Sequence, residues 1–386
     1  MPFEALFAAE RFRDSVSDEA WLRGMLAAER ALAAAEARVG VVSAAAAEAI
    51  AACCSVERFD VEALAVDGRR VGNPVEPLVR ALREQVGGDA AQDVHRGATS
   101  QDVLDTAAAL VARDALRLVD EELDRLAAAC ARLADTHRGT VMAGRTLLQQ
   151  ATPTTFGLKA AGWLLGVVQA RNRLAGVQLP AQLGGAAGTL AGLGERGPEV
   201  LRAFAEALDL PEPALPWHAV RVPVAELGAA LAIAAGAAEK IALDVVLLAQ
   251  TEVAEVREPA DGGSSTMPHK HNPVGSVLAR ACAIRVRAAA AVLLATLPQE
   301  HERAAGAWHA EWSALCDALA LTGGAVSWAR ETLDGLEVDV DRMRANVRAE
   351  TLSEAARLGH VAAAPEEYVG AADAFVDRAL AAYRGE

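Results

Sequence analysis

Residues 224–256 read VAELGAALAIAAGAAEKIALDVVLLAQTEVAEV, and they are the strongest indication of the fold class. The apolar side chains of this stretch, such as Leu227, Ile233 and Val246, occur at nearly every angle around a helix and not along one stripe. A helix in water that is apolar on all sides must be surrounded by protein. Because one chain of 386 residues offers few helices to surround it, the stretch predicts a central helix buried in a bundle of several chains.

Helical patterns flank this stretch on both sides. The segment after residue 102 carries one apolar face at three- and four-residue steps, formed by Leu116, Val119, Leu123, Leu126, Cys130 and Leu133. Such spacing is typical of a helix with one buried face. We predict further long helices over about 154–177, 274–297 and 307–333.

Together these patterns predict an all-α fold, a long central bundle of about five helices with small helical caps. Residues 1–105 would form an N-terminal helical domain, 106–340 the central bundle, and 341–386 a shortened C-terminal helical cap. The composition agrees, because 53% of the residues are hydrophobic and only 4% aromatic, and Ala and Leu favour helices over sheets.

The amino-acid composition and the net charge argue against several classes of protein. A net charge of -15 argues against nucleic acid as the main partner, because phosphate binding needs a surplus of Lys and Arg. Charged residues interrupt the most apolar stretch, which argues against a membrane span. Five scattered Cys residues and an N-terminus without an apolar leader predict a cytoplasmic protein with reduced thiols.

Three polar segments lie between the predicted helices, at residues 95–102, 144–150 and 261–273. Each is expected at a helix end, where free backbone N–H groups and the helix dipole favour bound anions. Alone, the first segment could be an ordinary helix cap. The third combines Gly, Ser, Lys and Asn between residues 262 and 273, GGSSTMPHKHNP, which indicates a loop that folds over a ligand.

This third segment resembles the signature of the fumarase/aspartase superfamily, Gly-Ser-Ser-x-Met-Pro-x-Lys-x-Asn-Pro, at every defined position. The other two segments resemble the superfamily's remaining site regions and stand in the same order. HRGATSQD at 95–102, LQQATP at 148–153 and QEHERAAGAWHAEW at 299–312 are most similar to its 3-carboxy-cis,cis-muconate cycloisomerases. The resemblance covers residues 6–333 and 368–384.

The resemblance implies a cofactor-free enzyme acting on a small polycarboxylate. One substrate carboxylate would add across a double bond and a neighbouring carbon would take a proton, giving the lactone 4-carboxymuconolactone. It also implies a homo-oligomer, a tetramer whose sites are shared between chains. The alternatives are a related lyase that expels an amine or oxygen group β to a carboxylate, and a helical oligomer that has lost catalysis.

The same resemblance assigns roles to individual residues. Ser264 would transfer the proton, activated by a nearby cation and backbone donors, whereas Ser265 is expected to be structural. Lys270 would stabilise the negative charge of the intermediate, and His95 would either relay a proton or be a hydrogen-bonded structural histidine. The residues assigned to substrate binding are Thr99, Ser100, Arg145, Thr146, Gln149, Asn272 and Arg303.

Some of these assignments have explicit alternatives. Arg303 could form a bidentate carboxylate pair, or a salt bridge to Glu300 or Glu302. The histidines at 269, 271, 301 and 309 have no carboxylate or thiol partners at ligand spacing, so no metal site is expected.

Two positions depart from the superfamily's usual pattern. Leu147 stands where most superfamily lyases have a proton-transferring His, and the cycloisomerases also lack that His. His271 stands where the cycloisomerases usually have Arg, which removes one permanent charge near the substrate. The first departure favours a lactone over an eliminated fumarate, and the second leaves the choice of substrate open.

Overall fold

The structure is a computed structural model that describes residues 3–259, 262–263, 267 and 270–386. The predicted all-α fold is confirmed. The N-terminal helices are α1 (Glu4–Phe7), α2 (Glu10–Asp14), α3 (Asp18–Val39), α4 (Ala44–Cys53), α5 (Val61–Gly68) and α6 (Val75–Val86). The long helices are α7 (Ser100–Thr136), α8 (Phe156–Ala175), α10 (Val222–Leu248), α11 (Val274–Ala295) and α12 (Ala307–Asp334), with the shorter α9 (Gly197–Leu208) before α10. The chain closes with α13 (Val340–Asn346), α14 (Ser353–Arg357) and α15 (Ala372–Arg384).

Local signals in the sequence set the bounds of α3. The hydroxyl of Ser17 accepts a hydrogen bond from the Ala20 N–H, which satisfies one free donor of the first turn. Gly40 follows the last turn with a φ of 82°, a left-handed conformation that glycine adopts without a steric penalty. The predicted break at Gly40 is therefore confirmed.

Two apolar clusters hold the fold together. The larger runs through α7, α8, α10, α11 and α12 and includes α15, while the smaller joins α3, α4, α6 and α9 to the beginning of α7. The long helices pack closely because small residues line their contacts; Ala234, Ala235 and Ala238 of α10 are fully buried. The domain boundaries proposed from the sequence stay a prediction.

The central helix α10 is not covered on every side within one chain. Ile233 is 50% exposed, and Val277 and Ile284 of the adjacent α11 are 52% and 54% exposed. Such apolar residues on long helices are suited to contact with another chain. Association of several chains nevertheless stays a prediction, because the structure contains a single chain.

The segment 144–150 differs from the prediction of a helix end, because it forms a β-hairpin. Strand β1 (Val141–Thr146) pairs antiparallel with β2 (Gln149–Thr155). Leu147 and Leu148 make the turn with φ values of 50° and 64°. Left-handed backbone at two successive residues is what the type I′ turn, a common two-residue hairpin turn, requires. Leucine rarely adopts it, so this turn has no recognisable signal in the sequence.

The other strands are short. Strand β3 (Val256–Arg257) pairs with β6 (Glu337–Val338), and β4 (Gly262–Gly263) pairs with β5 (His271–Asn272). The prediction that the central helix reaches residue 256 is wrong, since α10 ends at Leu248 and the chain turns so that the Glu255 N–H donates to the Leu248 carbonyl. The helix α9 was also not predicted.

The path of the chain defines two ends of the bundle. The first end holds residues 95–102, the beginning of α10 and residues 299–312; the second end holds the β1–β2 hairpin, β3, β4 and β5. Between the two ends α7 has 37 residues and α11 has 22, about 55 Å and 33 Å at 1.5 Å per residue. Among the helices of the described ranges, none combines the length and hydrophobicity that a membrane crossing needs.

Candidate functional site

Thr99 and Ser100 begin the longest helix at the first end of the bundle. Thr99 is the residue before α7, and its backbone N–H donates to the Asp102 carboxylate at 2.9 Å. Ser100 is the first helical residue, and both side chains are half-buried. The positive end of the helix dipole therefore lies where the sequence predicts a substrate carboxylate.

Arg303 reaches the same point from the loop before α12. Its Nη1 donates to the Thr99 hydroxyl at 2.7 Å, and its Nη2 donates to the Ala186 carbonyl at 3.1 Å. Arg303 makes these contacts in place of the alternative salt bridge to Glu300 or Glu302, which is not among the ion pairs of the described residues. The structure thus brings Arg303 and Thr99 together, although 204 residues separate them in the chain.

His95 lies four residues before Thr99 and contacts a carboxylate of α3. Its Nδ1 is 2.5 Å from Oε1 of Glu29, a residue of α3 that is 1% exposed. Burial opposes a charged imidazole here, but the charge and hydrogen bond of Glu29 outweigh it, so the pKa of His95 lies above the usual value for histidine.

A buried network of charged side chains lies at the first end of the bundle. The Arg221 guanidinium binds Asp105 at 2.7 and 3.0 Å, and Glu311 at 2.5 and 3.1 Å. The Trp308 indole N–H also donates to Asp105 at 2.9 Å. Burial opposes the charge of Arg221, but the two carboxylates dominate and raise its pKa, so it stays protonated.

Asp102 is a further buried carboxylate at the beginning of α7. Besides Thr99, its carboxylate accepts hydrogen bonds from the backbone N–H groups of Gly184 and Gly185 and contacts Nε2 of His218 at 2.6 Å. This role was not predicted from the sequence. A signal was present, since Asp102 and Asp105 are two carboxylates in the first turns of α7, among the apolar residues that run to Ala112.

The second end contains the hairpin residues. Arg145 makes a bidentate ion pair with Glu255, with distances of 3.0 and 2.6 Å, and Glu255 is fully buried. The guanidinium donors of Arg145 are therefore engaged within the chain. Thr146 and Gln149 lie beside the exposed turn, where Leu147 and Leu148 are 97% and 78% exposed; substrate binding by all three polar residues stays a prediction.

Lys270 and Asn272 also lie at the second end. Lys270 is exposed, and Asn272 belongs to β5 and lines a cavity of about 430 Å³ between β3, β5 and β6. Next to this cavity, the Glu258 carboxylate accepts hydrogen bonds at 2.9 Å from the N–H groups of Gly275 and Ser276, and so caps α11.

The central prediction of the site, Ser264, lies outside the described residues, as do Ser265 and His269. Within the ranges that the structure covers, no group of three or more His, Cys, Asp or Glu side chains is arranged to hold a metal ion. The assignment of a proton transfer to Ser264 therefore rests on the sequence.

Within one chain, the predicted residues that the structure describes do not form one site. His95, Thr99, Ser100 and Arg303 lie at the first end, whereas Arg145, Thr146, Gln149, Lys270 and Asn272 lie at the second. Since α11 alone spans about 33 Å between Asn272 and the residues before Arg303, a small polycarboxylate cannot contact both groups in the same chain.

Comparisons with known proteins are consistent with the resemblance seen in the sequence. Residues 5–288 match the model of a family described as Lyase. The chain is 52% identical over 349 residues to nitrosuccinate lyase of Streptomyces davaonensis, covering 86% of this chain and 74% of that protein. It is 48% identical over 354 residues to 3-carboxy-cis,cis-muconate cycloisomerase of Pseudomonas aeruginosa, covering 89% of this chain and 77% of that protein.

The fold is shared with solved structures at the level of the whole chain. The 3-carboxy-cis,cis-muconate lactonizing enzyme of Pseudomonas putida superposes with a TM-score of 0.94 at 38% identity, covering 99% of each chain. A fumarate lyase of Mesorhizobium superposes with a TM-score of 0.86 at 34% identity, covering 97% of this chain and 98% of the other.

Proposed function

Because this chain belongs to the lyase family of the fumarase/aspartase superfamily, we propose that it interconverts 3-carboxy-cis,cis-muconate and 4-carboxymuconolactone. In the forward direction a carboxylate oxygen bonds to one carbon of a double bond, and the electron pair of that bond moves toward a neighbouring carboxylate. The adjacent carbon then takes a proton, so that substrate and product are isomers and no external oxidant or reductant is needed.

The observation that carries this proposal is the contact between Arg303 and Thr99. Arg303 lies in the run 299–312, which is similar to the cycloisomerases in particular, and its guanidinium is held against the N-terminus of α7 by the Thr99 hydroxyl and the Ala186 carbonyl. A fixed guanidinium next to a helix N-terminus is a strong binding position for a carboxylate. A tricarboxylate substrate requires several such positions.

The remaining chemistry would come from the signature segment 262–273 and the hairpin residues. Ser264 would donate the proton to carbon, or remove it in the reverse direction. Lys270, Asn272 and the backbone N–H groups of the loop would stabilise the enolate-like carboxylate formed between the two steps. Binding roles for Arg145, Thr146 and Gln149 belong to this proposal as well.

We further propose that the active site is shared between chains of a homo-oligomer, with a tetramer as the expected state. The separation of the two ends supports this arrangement. Arg303 and the other residues at the first end of one chain can meet Lys270 and the residues at the second end only if the latter belong to another chain. The exposed apolar residues of α10 and α11, and the exposed turn Leu147–Leu148, are available for such contacts.

A second candidate reaction is elimination from nitrosuccinate, favoured by the 52% identity to the Streptomyces davaonensis lyase. In that reaction the enzyme would remove a proton from the carbon next to a carboxylate, and the nitro group would leave from the neighbouring carbon as nitrite, giving fumarate. The same Ser, Lys and Asn set would serve, because both reactions pass through a carbanion stabilised by a carboxylate.

The two reactions are distinguished by incubating the purified protein with each substrate in turn. Cycloisomerase activity is measured as loss of the ultraviolet absorbance of the diene, and nitrosuccinate elimination as equal release of nitrite and fumarate. Turnover of the diene alone supports the first proposal. Nitrite release with no loss of diene would replace it with the second, and absence of both activities would contradict both.

A further inference from the structure

We propose that Glu29 is a positioning residue of the active site, which fixes the His95 ring so that only Nε2 exchanges protons with a ligand. This inference rests on the proposed function, because it gives a task to one residue of that same site. Glu29 lies in α3, far from the signature segments in sequence, and neither the motifs nor the comparisons assign it a role.

The geometry of the pair carries the inference. Oε1 of Glu29 lies 2.5 Å from Nδ1 of His95, and Glu29 is 1% exposed, whereas the His95 side chain is 13% exposed. Because a carboxylate can only accept a hydrogen bond, the proton on this contact belongs to Nδ1. Nε2 is therefore the nitrogen that gains or loses a proton.

The backbone conformation of residues 95–97 supports the same orientation of the His95 ring. His95 has a φ of 61°, a left-handed conformation that costs energy for a residue with a side chain. It is followed by Gly97, whose φ is 70° and whose backbone packs against the loop that contains Gly185 and Gly192. The segment 95–99 is thus held between α3 and that loop, immediately before Thr99 and its bound Arg303.

A second buried carboxyl group on α3 provides a control for Glu29. Glu36 lies two turns after Glu29 on the same face of α3, is 0% exposed, and neither of its oxygens has a hydrogen-bond partner among the described residues. Burial raises the pKa of Glu36 to about 8, so at pH 7 it is mostly neutral. Because the His95 ring contacts Glu29 and not Glu36, Glu36 is a matched control.

Other ionisable groups also surround this pair and must be kept constant in any test. They come from the residue after α4, from α6, from the segment 89–96 and from α7, and they are Cys54, Arg83, Asp93, Arg96 and Asp102.

The test compares Glu29→Gln and Glu29→Leu with Glu36→Gln in the full-length protein, using nuclear magnetic resonance of ¹⁵N-labelled histidine. A His95→Gln variant assigns the His95 signals among those of the eight histidines. In the wild type we expect the neutral ring to carry its proton on Nδ1 and to titrate above the usual histidine value. Both Glu29 variants should lower the pKa of His95. In Glu29→Leu the neutral ring should also no longer carry its proton mainly on Nδ1, whereas Glu36→Gln should change neither the pKa nor the position of the proton.

Kinetics provide the second readout, on whichever proposed substrate the wild type converts. Glu29→Gln should lower kcat by about 10²-fold with KM nearly unchanged, and the rise of the rate with pH should move to lower pH. Glu29→Asp should restore part of the rate, and Glu36→Gln should stay within about twofold of the wild type.

An unchanged His95 tautomer and pKa in both Glu29 variants would overturn the proposal, as would equal loss of kcat in the Glu29 and Glu36 variants. The spectroscopic result is independent of the substrate. If the wild type converts neither substrate, the proposed function fails while the histidine signals still decide whether Glu29 orients His95.

Discussion

The replacement Glu36→Gln tests the electrostatics around α3 directly. Glu36 is fully buried, and both of its oxygens lack partners among the described residues. Burial raises its pKa from 4.5 to about 8, because the charged form loses its hydration. Gln has nearly the same shape as protonated Glu but cannot ionise.

The raised pKa of Glu36 determines how the unfolding free energy changes with pH. A carboxyl group whose pKa is higher in the folded state favours folding at low pH, and this contribution is lost as pH rises from about 4.5 to 8. Between pH 5 and pH 8 the wild type should lose about 3 kcal/mol of unfolding free energy through this group. Glu36→Gln should remove that loss, because the amide stays neutral at every pH.

The assay is the difference in unfolding midpoint between variant and wild type, measured at one protein concentration and one scan rate from pH 5 to pH 8. The difference should be near zero at pH 5 and grow to the order of 5 °C in favour of the variant at pH 8. Glu19→Gln is the control, because Glu19 belongs to the same helix but is 64% exposed in its pair with Arg23. A difference that does not change with pH, or an equal change in the control, would refute the reasoning.

Three further predictions address the site and its support. Ser264→Ala should lower kcat on the substrate that the wild type converts by at least about 10²-fold without changing the oligomer measured by light scattering; a near-normal rate would remove Ser264 from the mechanism. Arg303→Lys keeps the charge but loses the planar fork that contacts Thr99 and Ala186, so KM should rise about tenfold or more, whereas the exposed Arg287→Lys should change nothing; equal effects in both would contradict the assigned role. Arg221→Met leaves two buried carboxylates without their cation and should cost about 3–5 kcal/mol of unfolding free energy, measured by denaturant unfolding; a loss below about 1 kcal/mol would show that the network does not support the first end of the bundle.

The fold class and the long helices could be predicted from the amino-acid sequence alone. Apolar residues at helical spacing predicted α7, α8, α11 and α12, because periodicity is a local property that one buried face imposes on the chain. The motif 262–273 likewise identified the superfamily without any coordinates. The prediction for the segment 144–150 was wrong because its turn uses left-handed backbone at Leu147 and Leu148, where the sequence has no Gly or Asn signal.

Which polar residues meet became known only from the packing of the whole chain. Arg303 contacts Thr99, His95 contacts Glu29, and Asp105 binds Arg221, across separations of 204, 66 and 116 residues. No local pattern specifies such pairs, since they depend on how whole helices pack against one another. The same packing places Arg303 and Lys270 at opposite ends of the bundle, because a rigid helix of 22 residues separates their loops.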